Sequence, residues 1–213
     1  YQNPEFERSF QPFTKNIPPH SQKELSSIIK QIAQAAHVKS RDVVMSLPAP
    51  STFIITFELP FMSSDEISTA VMHEARQRIP VPLGEVEIDW SLLNEIPQQD
   101  SRSFIQILLV AVPKEIIAKY GEIARDAGFS VTGIEAEAFS LIRGLLRDER
   151  RAAIVVDIGA SSTSINVVDR GNIILSHNFW VGGSELTTKI MQSTGQTRIQ
   201  AEYYKRKEGV SEL

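Results

Sequence analysis

One stretch of the chain, residues 153–168, carries residue types that could bind a phosphate group. Its sequence is AIVVDIGASSTSINVV, in which two short β-branched runs flank a turn, and this favours two strands over a helix. We expect a turn at Ile158-Gly159 to bring Asp157 to the tip of a hairpin. Gly159 has no Cβ, so the backbone there can approach a ligand closely. Successive backbone N–H groups and hydroxyls can cradle a phosphate, and Asp157 can hold Mg²⁺ through water. The alternative is a tight hairpin with an Asx-type turn and no ligand.

Composition excludes several other kinds of chemistry. The 213 residues are 42% hydrophobic and 23% charged, which is ordinary for a globular protein. The net charge of −4 argues against a nucleic-acid-binding surface, and the absence of cysteine excludes disulfides and thiolate catalysis. No apolar run approaches the roughly 20 residues of a membrane span, so we expect a cytoplasmic chain. The four histidines are scattered without metal-ligand spacing.

Periodicity predicts an α/β chain around this hairpin. A helix over 21–38 starts with a capping box, Ser21 and Glu24, and a strand over 42–47 follows it. A strand-helix-strand-strand unit comes next, with strands at 53–59, 88–92 and 104–112 and a helix from Ser64 to Ile79. A helix, a strand and another helix lead to the charged segment 147–151, which we interpret as a solvated linker. After the hairpin we expect a return strand over 173–179 and helices over 185–193 and 199–207.

Several separate motifs stand in order along the chain. They are ELP at Glu58–Pro60, EARQRIPVPLGEVEIDW at Glu74–Trp90, the hairpin VVDIGASSTSINVV, and VGGSELT at Val181–Thr187. Together they resemble the PilM family of type IV pilus assembly proteins and its relative FtsA, within the actin-like ATPase superfamily. The resemblance implies an actin-like ATPase (RNase H-like) α/β fold with an inserted strand-helix-strand-strand subdomain. It predicts an N-terminal arm and part of the first-lobe core over 1–50, the insertion over 51–134, a helix and linker over 135–151, and the start of the second lobe over 152–213.

The resemblance also implies a site for ATP and Mg²⁺. The residues that match the second phosphate loop are Asp157, Gly159, Ala160, Ser161, Ser162 and Thr163, and Asp157 would hold Mg²⁺ through water. Gly182 and Gly183 match a glycine pair before the next helix, where a tight start of that helix is an equal explanation. Glu202 and Lys205 match an Ala-Glu-x-x-Lys pattern near the adenine, although a solvated helix face also explains them. The family's first phosphate hairpin and its C-terminal Gly-Gly motif are not in this sequence, so we expect a piece of a longer protein.

The implied function is an assembly platform at the cytoplasmic side of the inner membrane. PilM-like proteins bind the short cytoplasmic tail of PilN, between the first-lobe core and the inserted subdomain, and work with other pilus assembly proteins. Phe61 and Met62 could belong to such a peptide groove, although core packing is their more common role. We expect at most slow ATP hydrolysis, with Asp157 as the one possible catalytic residue. The alternatives are an active ATPase or phosphotransferase, or an FtsA-like membrane-tethered filament, and exposed edge strands could allow self-association.

Overall fold

A computed structural model describes residues 21–96, 104–147 and 149–209 of the chain. Residues 1–20, which belong to the predicted N-terminal arm, and residues 97–103, between the last two strands of the predicted strand-helix-strand-strand unit, lie outside the described residues. The helices are α1 (Gln22–Ala35), α2 (Ser64–Arg78), α3 (Lys114–Asp126), α4 (Glu137–Leu146), α5 (Gly183–Thr194) and α6 (Arg198–Glu208). The strands are β1 (Asp42–Leu47), β2 (Phe53–Pro60), β3 (Val86–Ile96), β4 (Phe104–Pro113), β5 (Ser130–Ala136), β6 (Ala153–Ile158), β7 (Thr163–Asp169) and β8 (Asn172–Phe179).

Capping residues set several helix ends as the sequence predicted. The Ser21–Glu24 capping box is formed at the start of α1, and a second box, Ser63 with Glu66, opens α2. Gly128 and Gly195 follow α3 and α5 with φ values of 87° and 68°, a region that favours glycine. The predicted elements of this part of the chain are therefore confirmed, with ends that shift by a few residues.

Three small sheets organise the described residues. β1 and β5 pair in parallel, β2, β4 and β3 form an antiparallel sheet in that order, and β6, β7 and β8 form an antiparallel meander. The strand-helix-strand-strand unit is thus β2-α2-β3-β4. β5 pairs with β1, which precedes this unit in the chain, and Ser26 of α1 donates to the carbonyl of Ile123 in α3 at 3.1 Å. These contacts bring α1, β1, α3 and β5 together beside the unit.

The β2-β4-β3 sheet has two different faces because side chains alternate along its strands. One face packs on α2 through a fully apolar cluster that includes Phe57, Val71, Ile107 and Leu109. The opposite face contributes Ile54 and Leu108 to a second cluster with α4 and with Val155, Val168 and Ile173 of the meander. α4 and the meander therefore cover the β2 side of this second face, and the β3 side is left open.

Two local predictions need correction. The strand predicted over 53–59 does not end before the proline, since β2 pairs with β4 up to Pro60 opposite Phe104. Asp157 is not at the tip of the hairpin: β6 continues to Ile158, and Asp157 pairs with Ser164 inside the ladder. The reversal of the chain is instead made by residues 159–162. In both cases the partner strand extends the ladder beyond the point that local sequence predicted.

Candidate functional site

The turn between β6 and β7 is held by its own backbone and by α5. The N–H of Gly159 donates to the carbonyl of Ser162 at 2.9 Å, which closes the turn. Across from it, the N–H of Gly183 donates to the carbonyl of Gly159 at 2.9 Å, and the N–H of Ser184 donates to the carbonyl of Ala160 at 2.8 Å. The hydroxyl of Thr163 donates to the carbonyl of Val181 at 2.7 Å. The first turn of α5 is therefore clamped directly onto the hairpin turn.

Gly182 is a glycine because this clamp leaves no room for a side chain. A Cβ at position 182 would lie 2.6 Å from the carbonyl oxygen of Gly159 and 2.7 Å from the carbonyl carbon of Ala160. Both obstacles are backbone atoms, so no rotamer change could relieve the contact. The tight start of α5, predicted as one explanation of the glycine pair, is thus present, and it also brings the helix against the predicted phosphate loop.

The two hydrogen bonds that α5 donates to the carbonyls of Gly159 and Ala160 also orient the N–H groups of the turn that have no acceptor among the described residues. In a trans peptide, the C=O of one residue and the N–H of the next point in opposite directions. Because the carbonyls of Gly159 and Ala160 point at α5, the N–H groups of Ala160 and Ser161 point together away from it. Within the described residues, the N–H groups of 160–162 donate to no protein acceptor. Such adjacent amides, backed by a helix N-terminus, can receive an anion.

A row of polar side chains crosses the meander beside this turn. Register places Asp157 opposite Ser164, and Ser164 opposite Asn178, so the three residues share one face of the sheet. The side-chain N–H of Asn178 donates to the carbonyl of Ala49 at 2.9 Å, while its buried Oδ1 has no partner in the described structure. Sequence reasoning missed Ser164 as the middle of this row and Asn178 altogether. The strand alternation of β8 could have indicated Asn178, but only once the β7–β8 register was known.

Glu202 and Lys205 lie on α6 and contact α5 rather than solvent alone. The ammonium of Lys205 donates to the carbonyl of Gly183 at 3.0 Å and to the hydroxyl of Thr187 at 2.9 Å, and lies 2.8 Å from Glu202. Hydrogen bonds from Lys205, Thr187 and Arg206 lower the pKa of Glu202 to about 2. These residues brace the first turn of α5, which in turn holds the hairpin. Their predicted contact with an adenine stays a prediction.

A second candidate site is a groove along the open side of the β2-β4-β3 sheet. It has a volume of about 440 Å³. Its floor is Leu108, Val110 and Val112 of β4, and one wall is the β3 segment 87–91. The other wall is formed by the ends of β1 and β5 with α3 and α4, through Leu47, Ile117, Ile134, Glu135, Ala136 and Phe139. An apolar floor with an edge strand along one side is the shape that accepts an extended peptide.

Phe61 and Met62 do not line this groove. Phe61 is 60% exposed after β2, and Met62 packs against the cluster beneath α2. Of the two roles considered for these residues, core packing is the one that Met62 has, and neither residue contributes to the groove. The lining residues come from five segments that are distant in the sequence, so no local pattern could have found them together.

The fold and the hairpin define this chain as one with the actin-like ATPase fold, which confirms the predicted fold class. The family model "Type IV pilus assembly protein PilM" matches residues 14–212. The chain therefore belongs to the PilM family of type IV pilus assembly proteins, as its motifs predicted.

Solved structures agree with this assignment. The structure is similar to that of the PilM-PilN type IV pilus biogenesis complex, with a TM-score of 0.73 and 26% identity over 92% of this chain and 61% of that chain. The described chain thus spans less than two thirds of that PilM chain. The cytoplasmic domain of EpsL from Vibrio cholerae, an inner membrane component of the type II secretion system, matches with a TM-score of 0.51 and 13% identity, covering 83% of this chain and 63% of that chain. That likeness concerns the fold alone. No helix in the described ranges has the length and apolar character to cross a membrane.

Proposed function

We propose that this chain is the peptide-binding and nucleotide-contacting part of a PilM-type assembly platform at the cytoplasmic side of the inner membrane. Its groove takes the N-terminal tail of a PilN-type membrane protein. The observation that carries this proposal is the apolar groove between the β2-β4-β3 sheet and the β5–α4 wall. The resemblance implies that the tail binds between the first-lobe core and the inserted subdomain, and under the proposed division of the chain the groove lies between these two parts. The division of the chain into lobes and the association with other pilus proteins belong to the same proposal.

The groove proposal is tested by calorimetric titration of a synthetic PilN-type tail into the chain. Ile134 is 38% exposed on the groove wall, so Ile134→Glu adds a charge to the contact surface and removes little buried apolar contact. We expect binding to weaken roughly tenfold or more, the equivalent of losing one apolar side chain from a contact. Leu145→Glu is the matched control, because Leu145 is 66% exposed on α4 and does not line the groove. Absence of binding by the unaltered chain contradicts the proposal.

The second part of the proposal concerns ATP and Mg²⁺ at the hairpin. The residues present fit a phosphate, since the N–H groups of Ala160 and Ser161 point together away from α5 and the same turn contains two serines, Ser161 and Ser162. Asp157, Ser164 and the unpartnered Oδ1 of Asn178 provide the oxygen donors that a hydrated Mg²⁺ prefers. The bound nucleotide would supply a polyanion that fixes the hairpin against the rest of the molecule.

Titration of Mg·ATP into the chain and into Asp157→Ala tests this second part. We expect the variant to lose binding, whereas Asp169→Ala, at the end of β7 that is far from the hairpin turn, keeps it. Equal binding by all three proteins contradicts a role for the hairpin. The alternative function, an active ATPase or phosphotransferase, predicts steady-state phosphate release that disappears in Asp157→Ala. A filament-forming protein instead predicts ATP-dependent polymers in electron micrographs.

A further inference from the structure

The wall of the groove that β3 forms is acidic, although its floor is apolar. β3 presents Glu87, Asp89 and Ser91 on the groove face, opposite Val112, Val110 and Leu108 of β4 in the ladder. Glu135 adds a carboxylate on the facing wall. A ligand that lies along β3 therefore meets apolar side chains beneath it and carboxylates at its sides.

Asp89 differs from the other two carboxylates in its partners. Glu135 is held by two hydrogen bonds from Arg143, at 2.7 and 2.8 Å, and these lower its pKa. Glu87 lies 3.7 Å from Lys114. Asp89 accepts the backbone N–H of Trp90 at 2.9 Å and pairs with no cation in the described ranges of the chain. Oδ1 is thereby fixed, and Oδ2, at the middle of the wall, has no partner among the residues that the structure describes.

We infer that Asp89 is a specificity-determining residue that selects a partner tail with a lysine or arginine beside its apolar side chains. This inference rests on the proposed function, because it concerns the ligand of the same groove. An apolar floor alone would accept many hydrophobic segments, and an unpaired carboxylate at its edge favours those that bring a cation to it. A tail with an acidic residue at that place is disfavoured by the same charge and by Glu87 two positions away.

A different role would also place a charge on β3. Its outer side is the edge of the sheet, and charged side chains on edge strands prevent pairing with other chains. If that were the only role of Asp89, its neutralisation would favour association of the chain with itself and leave the choice of tail unchanged. The two roles therefore predict different measurements.

The test is a double-mutant cycle by calorimetric titration. The probe is the synthetic N-terminal tail of a PilN-type protein, together with versions in which each lysine or arginine is replaced in turn by glutamine. The proteins are the unaltered chain, Asp89→Asn, which keeps an oxygen for the N–H of Trp90, and Glu58→Gln. Glu58 is an exposed carboxylate on β2 of the same sheet that does not line the groove.

We expect one tail replacement to weaken binding to the unaltered chain and to Glu58→Gln by about twofold to fivefold, the range of a solvent-exposed ion pair. The same replacement should change nothing in Asp89→Asn, and the difference should shrink in 1 M salt, where charges are screened within about 3 Å. If the tail binds but every replacement has the same effect on the unaltered chain and on Asp89→Asn, the inference is wrong and the groove proposal stands. If Asp89→Asn changes only the self-association measured by light scattering, edge protection is the sole role. If the tail does not bind at all, the proposed function itself fails.

Discussion

Replacement of Gly182 by alanine tests the junction between α5 and the hairpin most directly. The new Cβ would lie 2.6 Å from the carbonyl oxygen of Gly159 and 2.7 Å from both the carbonyl carbon and the oxygen of Ala160. These contacts are shorter than van der Waals separation, and the obstacles are backbone. α5 must therefore move away from the turn, which stretches the bonds from Gly183 to Gly159 and from Ser184 to Ala160, at 2.9 and 2.8 Å.

The cost follows from those two effects. Overpacking of a close contact costs about 1–3 kcal/mol, and each weakened backbone hydrogen bond about 0.5–1.5 kcal/mol. Because relief of the clash is what breaks the bonds, the terms overlap, and we expect a loss of roughly 2–4 kcal/mol in the free energy of unfolding. With a urea m value of about 1–3 kcal/mol/M, the unfolding midpoint falls by roughly 0.7–4 M.

Urea unfolding, followed by circular dichroism, measures the loss, and hydrogen exchange of the amides of Gly183 and Ser184 locates it. Gly144→Ala is the matched control, because a Cβ there meets nothing within 4 Å and the position is inside α4. That substitution should stabilise the chain by about 0.5–1 kcal/mol. If Gly182→Ala unfolds at the same urea concentration as the unaltered chain and keeps both amides protected, α5 does not clamp the hairpin as described.

Three further predictions concern stability. Ile107 is fully buried between the β2-β4-β3 sheet and α2, so Ile107→Ala should cost about 2–5 kcal/mol in urea unfolding, and a cost below 1 kcal/mol would contradict the packing described. Ser26→Ala removes the hydroxyl that joins α1 to the carbonyl of Ile123, and should cost about 1 kcal/mol by the same measurement, whereas Ser27→Ala on the exposed side should be neutral. The folded-state pKa of Glu202 is lowered from 4.5 to about 2, so its stabilising contribution is complete above pH 4.5 and is lost as the pH falls toward 2. The urea midpoint of Glu202→Gln should therefore depend less on pH in that range than the midpoint of the unaltered chain. If the two proteins show the same pH dependence, the contacts of Glu202 with Lys205 do not contribute to the loss of stability at low pH.

The local signals in the sequence predicted the elements well. Asp42–Leu47 is a strand with the predicted limits, and the Ser21–Glu24 capping box starts α1. Such features depend on neighbours within a few residues, where propensity and capping decide the outcome. Of the two ends that differ, Pro60 pairs with Phe104 on a strand that is distant in the sequence, so local sequence does not contain that information. Ile158 pairs with Thr163 only five residues further along, and there the tightness of the turn sets the end of the strand.

The candidate sites divide in the same way. The hairpin was predictable because Asp157, Gly159 and Thr163 stand in one short stretch, and the resemblance assigned Gly182 to the same nucleotide site. The structural reason for Gly182, a backbone contact across about 20 intervening residues, required the fold. The groove was not predictable in detail, since its walls combine 87–91 with 134–139 and Ile117. Asp89 was visible in the sequence only as one polar position of an alternating strand.

α4 connects the two candidate sites physically. Phe139 of α4 lines the groove, while Ala138 and Ile142 of the same helix pack with Val155 and Val168 of the strands that carry the hairpin. Packed interiors have low compressibility, so if nucleotide binds at the hairpin as proposed and shifts the meander, this cluster must absorb the shift or pass it to α4. Movement of α4 would change the width of the groove at Phe139. Coupling between nucleotide and tail would then be reciprocal, because each ligand would alter the affinity for the other by the same factor. Ile142→Val changes a residue that lies between the two sites and lines neither of them, so this variant should reduce that factor.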